Sequence, residues 1–280
     1  MNSQSGTVPV VILSGYLGAG KTTWINRLLS TTRDRLVVIV NDFGSVNIDA
    51  ALIAQQHDDT IELTNGCVCC AIGGSLADVM LDISDRELQP DAVIIECSGV
   101  ADPSAVAANA YLGGFHLAAI ITLVDAVNWS DTAHHSLVHE TFWRQIDSAD
   151  LLALSKLDAI DGESENELRR ALQDRRPTTP QVPAHSISPE QLLSFSSHIP
   201  PELSTPLIGP HFSTTLLDID PQLTSSELRD LIASLPSEVI RVKGIVQLNS
   251  ETVLVQRVGT RTTITSTTLA PTGVVVISAD

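Results

Sequence analysis

Basic residues are scarce in this chain: 16 Lys and Arg stand against 33 Asp and Glu in 280 residues, a formal net charge of −17. A surface that acidic argues against nucleic acid or an anionic membrane as the main partner. It suits a cytoplasmic protein and, more weakly, one that attracts cations. Long apolar runs are missing too. No stretch has the length needed to cross a bilayer, and the first apolar run lacks the basic flank of a signal peptide. There is no internal repeat and no low-complexity tract. Cysteine is sparse, with four in the chain. Three of them fall within four positions, Cys67, Cys69 and Cys70, and the fourth is Cys97. That spacing fits a disulfide framework poorly and suits metal or redox chemistry in a reducing compartment.

What is present is organised around Gly15-Tyr16-Leu17-Gly18-Ala19-Gly20-Lys21-Thr22-Thr23. Glycines at the first and sixth positions, then Lys and Thr, make a phosphate-loop pattern. Gly15, Gly18 and Gly20 let the backbone turn tightly, so that the N–H groups of the loop through Ala19, Gly20, Lys21, Thr22 and Thr23 approach phosphate oxygens. Lys21 reaches the terminal phosphates and the Thr22 hydroxyl ligates Mg²⁺. The context agrees: 8–13 reads as a buried strand, and 23–29 as an amphipathic helix whose positive end points at the same anion.

Strand and helix patterns then alternate. Apolar runs at 36–40, 91–96, 118–124 and 150–154 are strands covered on both faces. Helical patterns lie near 75–86, 103–110, 134–146 and 162–173. This order predicts an α/β fold with a doubly wound, mostly parallel sheet, whose ligands sit at the carboxyl ends of the strands. The phosphate loop, Asn41-Asp42, Glu96, Asp125 and Ser155-Lys156-Leu157-Asp158 all follow strands. Between 176 and 210 periodicity fades into a Pro- and Ser-rich connector. Beyond it, 211–219, 239–248, 252–258 and 262–268 read as strands and 225–233 as a helix. The expected division is a nucleotide domain over 1–203 and a small C-terminal α+β domain over 204–280.

Three stretches carry the remaining chemistry. A carboxylate at Asp158 can accept two hydrogen bonds from the N1–H and amino group of guanine, a pair that adenine does not offer. The Lys156 stem can cover the flat face of the base. An ordinary polar loop after a strand is the bland alternative. Glu96-Cys97-Ser98-Gly99 ends a buried strand; Glu96 can hold Mg²⁺ through water or orient an attacking water, and Gly99 can approach the γ-phosphate. Cys67-Val68-Cys69-Cys70 packs three thiols as a site for Zn²⁺ or Cu⁺ with a tetrahedral position open. A redox pair of Cys67 with Cys70 or inert packing are the competing readings. Asp42, Glu62, Cys97 and water are candidates for a fourth ligand. His135 and His139, four apart in one expected helix, share a face, but exposed helical histidines are seldom ligands.

Together these motifs resemble the CobW-like GTPases, relatives of the urease and hydrogenase accessory GTPases, over nearly the whole chain. Gly15–Thr23 resembles their phosphate loop. Asn41-Asp42-Phe43-Gly44 with Asn47-Ile48-Asp49 resembles the first switch, and Cys67–Cys70 the Cys-x-Cys-Cys motif. Glu96-Cys97-Ser98-Gly99-Val100-Ala101-Asp102-Pro103 resembles the second switch, and Arg241-Val242-Lys243-Gly244 the Arg-x-Lys-Gly of the small domain. The resemblance implies a P-loop NTPase fold that binds GTP and GDP with Mg²⁺, hydrolyses GTP slowly, binds Zn²⁺ or a related metal and serves a client metalloprotein. Lys21, Glu96 and Asp42 are then the catalytic candidates, and Ser155, Lys156 and Asp158 the base readers. Three departures stand out. The base-reading motif usually begins with Asn, whose amide ties it to the phosphate loop, and the shorter Ser155 predicts lower guanine affinity. Asp42 replaces a usual Glu, and Ser45 a frequent acidic residue. A His-rich tract is missing, which argues against metal storage. Self-association into a homo-oligomer is compatible with all of this. The rival readings are an ATP-using P-loop kinase with incidental cysteines, and a non-enzymatic zinc- or redox-regulated module.

Overall fold

A computed structural model of the chain describes residues 7–41, 60–63, 75–107, 114–194, 212–236, 238–249, 251–258, 261–268 and 273–279, with residues 110 and 271. Its larger part is a seven-stranded sheet in the order β3-β2-β4-β1-β5-β6-β7, parallel at every pairing. The strands are β1 Val8–Ser14, β2 Leu36–Asn41, β3 Thr60–Leu63, β4 Ala92–Glu96, β5 Phe115–Asp125, β6 Leu151–Ser155 and β7 Gln181–Pro183. The helices are α1 Lys21–Thr31, α2 Ser75–Ser84, α3 Pro103–Ala107, α4 Trp129–His134, α5 His139–Asp147, α6 Gly162–Arg175 and α7 Pro189–Ser194.

Successive strand residues point to opposite faces, so a run buried on both sides feeds two cores. Val11 and Leu13 of β1 face α1, where they meet Ile25, Leu28 and Leu29. Val10 and Ile12 face the other way, onto Leu76, Met80 and Ile83 of α2. Each fully buried branched side chain of this kind contributes about 1.5–3 kcal/mol. The continuous apolar pattern of these strands is therefore the cause of the two-faced covering.

The small domain is a five-stranded antiparallel sheet in the order β11-β10-β9-β12-β8, with α8 (Ser225–Ala233) on one face. Its strands are β8 Phe212–Leu217, β9 Val239–Leu248, β10 Glu251–Val258, β11 Arg261–Ser266 and β12 Gly273–Ala279. Thr224 and Glu227 form a capping box that starts α8, satisfying two backbone donors at once. The buried Arg257 closes the other end, its Nη1 donating to the Ile232 carbonyl at 2.8 Å. Gly244 is fixed by close approach: a Cβ there would lie 2.2 Å from the Gly273 carbonyl oxygen on the neighbouring strand.

Two sequence expectations change. A single helix over 134–146 is in fact α4 and α5, broken between His135 and Val138. His135 caps α4 and His139 opens α5, so they do not share a helix face. The connector over 176–210 begins with ordered structure, because β7, a 3-10 turn at Ala184–Ser186 and α7 lie within it. The pattern also missed β12, whose Val274 and Val276 face the small-domain core.

The sheet face opposite α8 meets the nucleotide side of the larger part. Ile240, Val275 and Ile277 share one apolar cluster with Tyr16 and Leu17 of the glycine loop, with Val100 and with Phe142 of α5.

Candidate nucleotide site

The loop between β1 and α1 is built for an anion. Gly15, Gly18 and Gly20 have φ of 139°, 81° and 94°, the region that side chains avoid. At Gly15 a Cβ would also stand 2.5 Å from the Leu123 carbonyl oxygen. Helix α1 begins at Lys21 with Gly20 as its N-cap; no side chain caps it and its first turn holds no acidic residue. Its first N–H groups therefore point into the loop. Lys21 is buried, and its Nζ donates to the Gly15 carbonyl at 2.8 Å, so the ammonium is folded back over the loop.

Glu96 ends β4 beside Leu13 of β1 and is buried. Thr22 Oγ1 donates to Glu96 Oε1 at 3.3 Å. Two hard oxygen donors at the mouth of an anion-binding loop fit Mg²⁺, which prefers such ligands together with phosphate oxygens and water. The next residues form a turn, Ala101 N–H donating to the Ser98 carbonyl at 3.0 Å. Gly99 lies against the glycine loop, where a Cβ would come within 2.9 Å of Leu17 Cα.

Cys97 is fully buried beneath this turn. Burial pushes its thiol up to about 12, and the nearby Lys21 only partly opposes this. Burial likewise raises the Tyr16 phenol, with Arg241 of the small domain pulling the other way.

The segment after β6 is tied to the loop by side chains. Ser155 Oγ donates to the Ala19 carbonyl at 2.8 Å. The short hydroxyl thus ties this segment to the glycine loop. Lys156, at φ 58°, donates to the Gly18 carbonyl at 2.8 Å and pairs with Asp125 Oδ2 at 2.6 Å. Asp125 is buried at the end of β5 and also accepts from the Val127 N–H and the Asn128 amide. Asp158 is exposed on the following 3-10 turn. Beside it opens a cavity of about 400 Å³, lined among others by Ala19, Thr23, Lys156, Asp158, Ala184 and His185.

Ala184 and His185 were missed by sequence reasoning. Their signal was a Pro-Ala-His-Ser turn after the short strand β7, where Trp24 Nε1 donates to the Ala184 carbonyl at 3.0 Å and Arg27 donates to that of His185. Asp42 and the thiol motif Cys67, Cys69 and Cys70 lie outside the described residues. Of Glu62, the placement on β3 is described. No helix among the described residues is long and apolar enough to cross a membrane.

Residues 212–280 match the cobalamin synthesis protein cobW C-terminal domain. A zinc chaperone CobW of Sinorhizobium sp is 32% identical over 208 residues, 64% of this chain and 59% of that protein. The zinc chaperone YjiA of Escherichia coli is 34% identical over 168 residues, 56% of this chain and 52% of that one. The matches thus span little more than half the length of these curated relatives. The crystal structure of Zn(II)-bound YjiA GTPase from E. coli aligns over 100% of this chain and 95% of that chain with a TM-score of 0.48 at 20% identity. Residues 9–183, more than half of the chain, match the nucleotide-binding domain of the CobW/HypB/UreG family, and the chain belongs to that family.

Proposed function

We propose that this chain binds and slowly hydrolyses GTP, and uses the cycle to carry zinc or a related divalent metal to a client protein in the cytoplasm. The observation that carries the nucleotide part is the fastening of the base-side segment to the glycine loop. Ser155 and Lys156 bond the Ala19 and Gly18 carbonyls, and Asp158 stands at the rim of the adjoining cavity. A base and its phosphates then occupy one rigid frame.

The roles follow from chemistry. The loop amides from Gly15 to Thr23 and the Lys21 ammonium hold the phosphates. Asp158 accepts the two N–H donors of guanine, and Lys156 lies along the ring. Thr22 and Glu96 hold Mg²⁺, which when bound supplies charge neutralisation at the phosphate oxygens. Glu96, and Asp42 from the first switch, orient the attacking water. Gly99 senses the terminal phosphate.

Zinc is the cargo in this reading. Cys67, Cys69 and Cys70 hold it, and the names of the relatives, zinc chaperones, favour this metal. The thiol loop lies in sequence between the switch segments, so nucleotide state alters thiol geometry. The division at 203/204 then separates the GTPase domain from a small domain that covers the Tyr16 side of the loop.

The test is nucleotide competition against a fluorescent GDP, followed by phosphate release. Preference for GTP over ATP that is lost in Asp158→Ala, with measurable turnover, supports the reading. ATP preference indifferent to Asp158 returns the kinase. Nucleotide binding with no turnover, even with metal and client, leaves a binding module.

A further inference from the structure

Helix α5 carries a glutamine on its apolar stripe. Gln145 is fully buried beside Phe142 and Ile146. Its Nε2 uses both N–H groups, donating to the Gly99 and Ala101 carbonyls at 3.1 Å each. Two acceptors fix the orientation of the amide, because the flipped group would set oxygen against both carbonyls. That leaves Oε1, buried and with no hydrogen-bond partner among the described residues. Ser98 Oγ, in the same turn, is in the same position. The main chain of Gln145 is held as well, its carbonyl accepting from Thr122 Oγ1 of β5 at 2.9 Å.

A glutamine here leaves Oε1 unmet, and an unmet buried acceptor is costly. Against that cost stand the two bonds to the Gly99 and Ala101 carbonyls, which a leucine would deprive of this donor. The amide holds the turn that presses Gly99 onto Leu17 of the glycine loop. Any movement of Gly99 toward a terminal phosphate must lengthen or break the bond from Nε2 to its carbonyl. The vacant Oε1 and the Ser98 hydroxyl are the groups that a rearranged turn can satisfy instead.

We propose that Gln145 is the positioning residue of the 98–101 turn: it fixes Gly99 in the arrangement described here and thereby sets how strongly the site distinguishes triphosphate from diphosphate. This rests on the guanine-nucleotide reading above.

The experiment measures affinities for GDP and for a non-hydrolysable GTP analogue, with melting temperatures, in the full chain, in Gln145→Met and in Ile232→Ala. Methionine keeps volume and removes the donor, while Ile232→Ala lowers stability from the small-domain core, a cluster that contains no residue of the turn or the glycine loop. The expected result is a change of at least about fivefold in the analogue-to-GDP affinity ratio for Gln145→Met. Ile232→Ala should lower the melting temperature and leave the ratio alone. An unchanged ratio in a folded Gln145→Met overturns the proposal and leaves Gln145 a core fastener. Wild-type protein decides independently, and alone if Gln145→Met does not fold, by hydrogen exchange. Protection of the 98–101 amides should differ between the GDP and analogue states; equal protection overturns the proposal. Failure of the wild type to bind any guanine nucleotide overturns the earlier reading and this one with it, an outcome distinct from normal binding with an unchanged ratio.

Discussion

Lys156 and Asp125 form an ion pair, Nζ to Oδ2 2.6 Å, across the carboxyl ends of the neighbouring strands β6 and β5. Asp125 is the buried partner and Lys156 the half-exposed one. Because the same ammonium also donates to the Gly18 carbonyl, the pair locks the base-side segment to the glycine loop. Its value is geometric, since half-exposed pairs contribute little net stability.

Lys156→Ala should therefore weaken GTP and GDP alike. Loss of a charge-assisted bond to the loop corresponds to about tenfold or more in affinity for each nucleotide. Titration with fluorescent derivatives of both checks it. A variant that weakens only one nucleotide would place Lys156 in phosphate sensing rather than in the frame.

Asp158→Ala should act on selectivity. The exposed carboxylate belongs to no internal network among the described residues, so its removal should leave the melting temperature within about 1 °C, as for most surface substitutions. Preference for GTP over ATP should fall by roughly a hundredfold, the loss of two hydrogen bonds to a charged group. Competition by ATP against bound fluorescent GDP reads the change.

Gly99→Ala should disrupt the turn. Its Cβ would meet Leu17 Cδ2 at 2.4 Å and the Leu17 backbone at 2.9 Å. Overpacking of this kind costs about 1–3 kcal/mol. Urea unfolding should show that loss, and the GTP-analogue affinity should fall more than the GDP affinity.

Cys97 should be chemically silent. Its thiol is raised from 9.0 to about 12 by burial, so near pH 8 it is protonated and enclosed. Iodoacetamide followed by mass spectrometry should find Cys97 unmodified in native protein and modified after denaturation. The stability linked to this group is intact below pH 9, where folded and unfolded chains both hold the proton. Above it the unfolded chain ionises first, so this stability is lost as pH rises from 9 toward 12.

The sequence made the parallel sheet and the loop readable because both rest on local rules. Val10–Leu13, Leu36–Val40 and Ala92–Ile95 are apolar at every position, which only a strand covered twice requires. Three glycines before Lys21-Thr22 announce positive φ values that the backbone in fact adopts. What stayed hidden depends on pairing at a distance. Strand β12 lacks alternation because both its faces are covered, Val274 and Val276 in the small-domain core and Val275 and Ile277 in the cluster shared with the glycine loop. The break at His135–Val138 has no Pro or Gly to mark it. Gln145 and Asp125 are single polar residues whose partners, Gly99 and Lys156, stand tens of positions away in sequence. Ser155 belongs with them: strand placement brings its hydroxyl to the Ala19 carbonyl, 136 positions away in sequence.

The central claim is that nucleotide state governs metal binding. It is tested most directly by a Zn²⁺ competition titration of the nucleotide-free, GDP-bound and GTP-analogue-bound protein. A variant with Cys67, Cys69 and Cys70 all replaced by Ser serves as the control. The account predicts thiol-dependent affinity that differs by at least about fivefold between the GDP and analogue states. By reciprocity, zinc should change the ratio of the analogue and GDP affinities by that same factor. Tight zinc binding that is equal in all three states, or binding that survives loss of the three thiols, would contradict it.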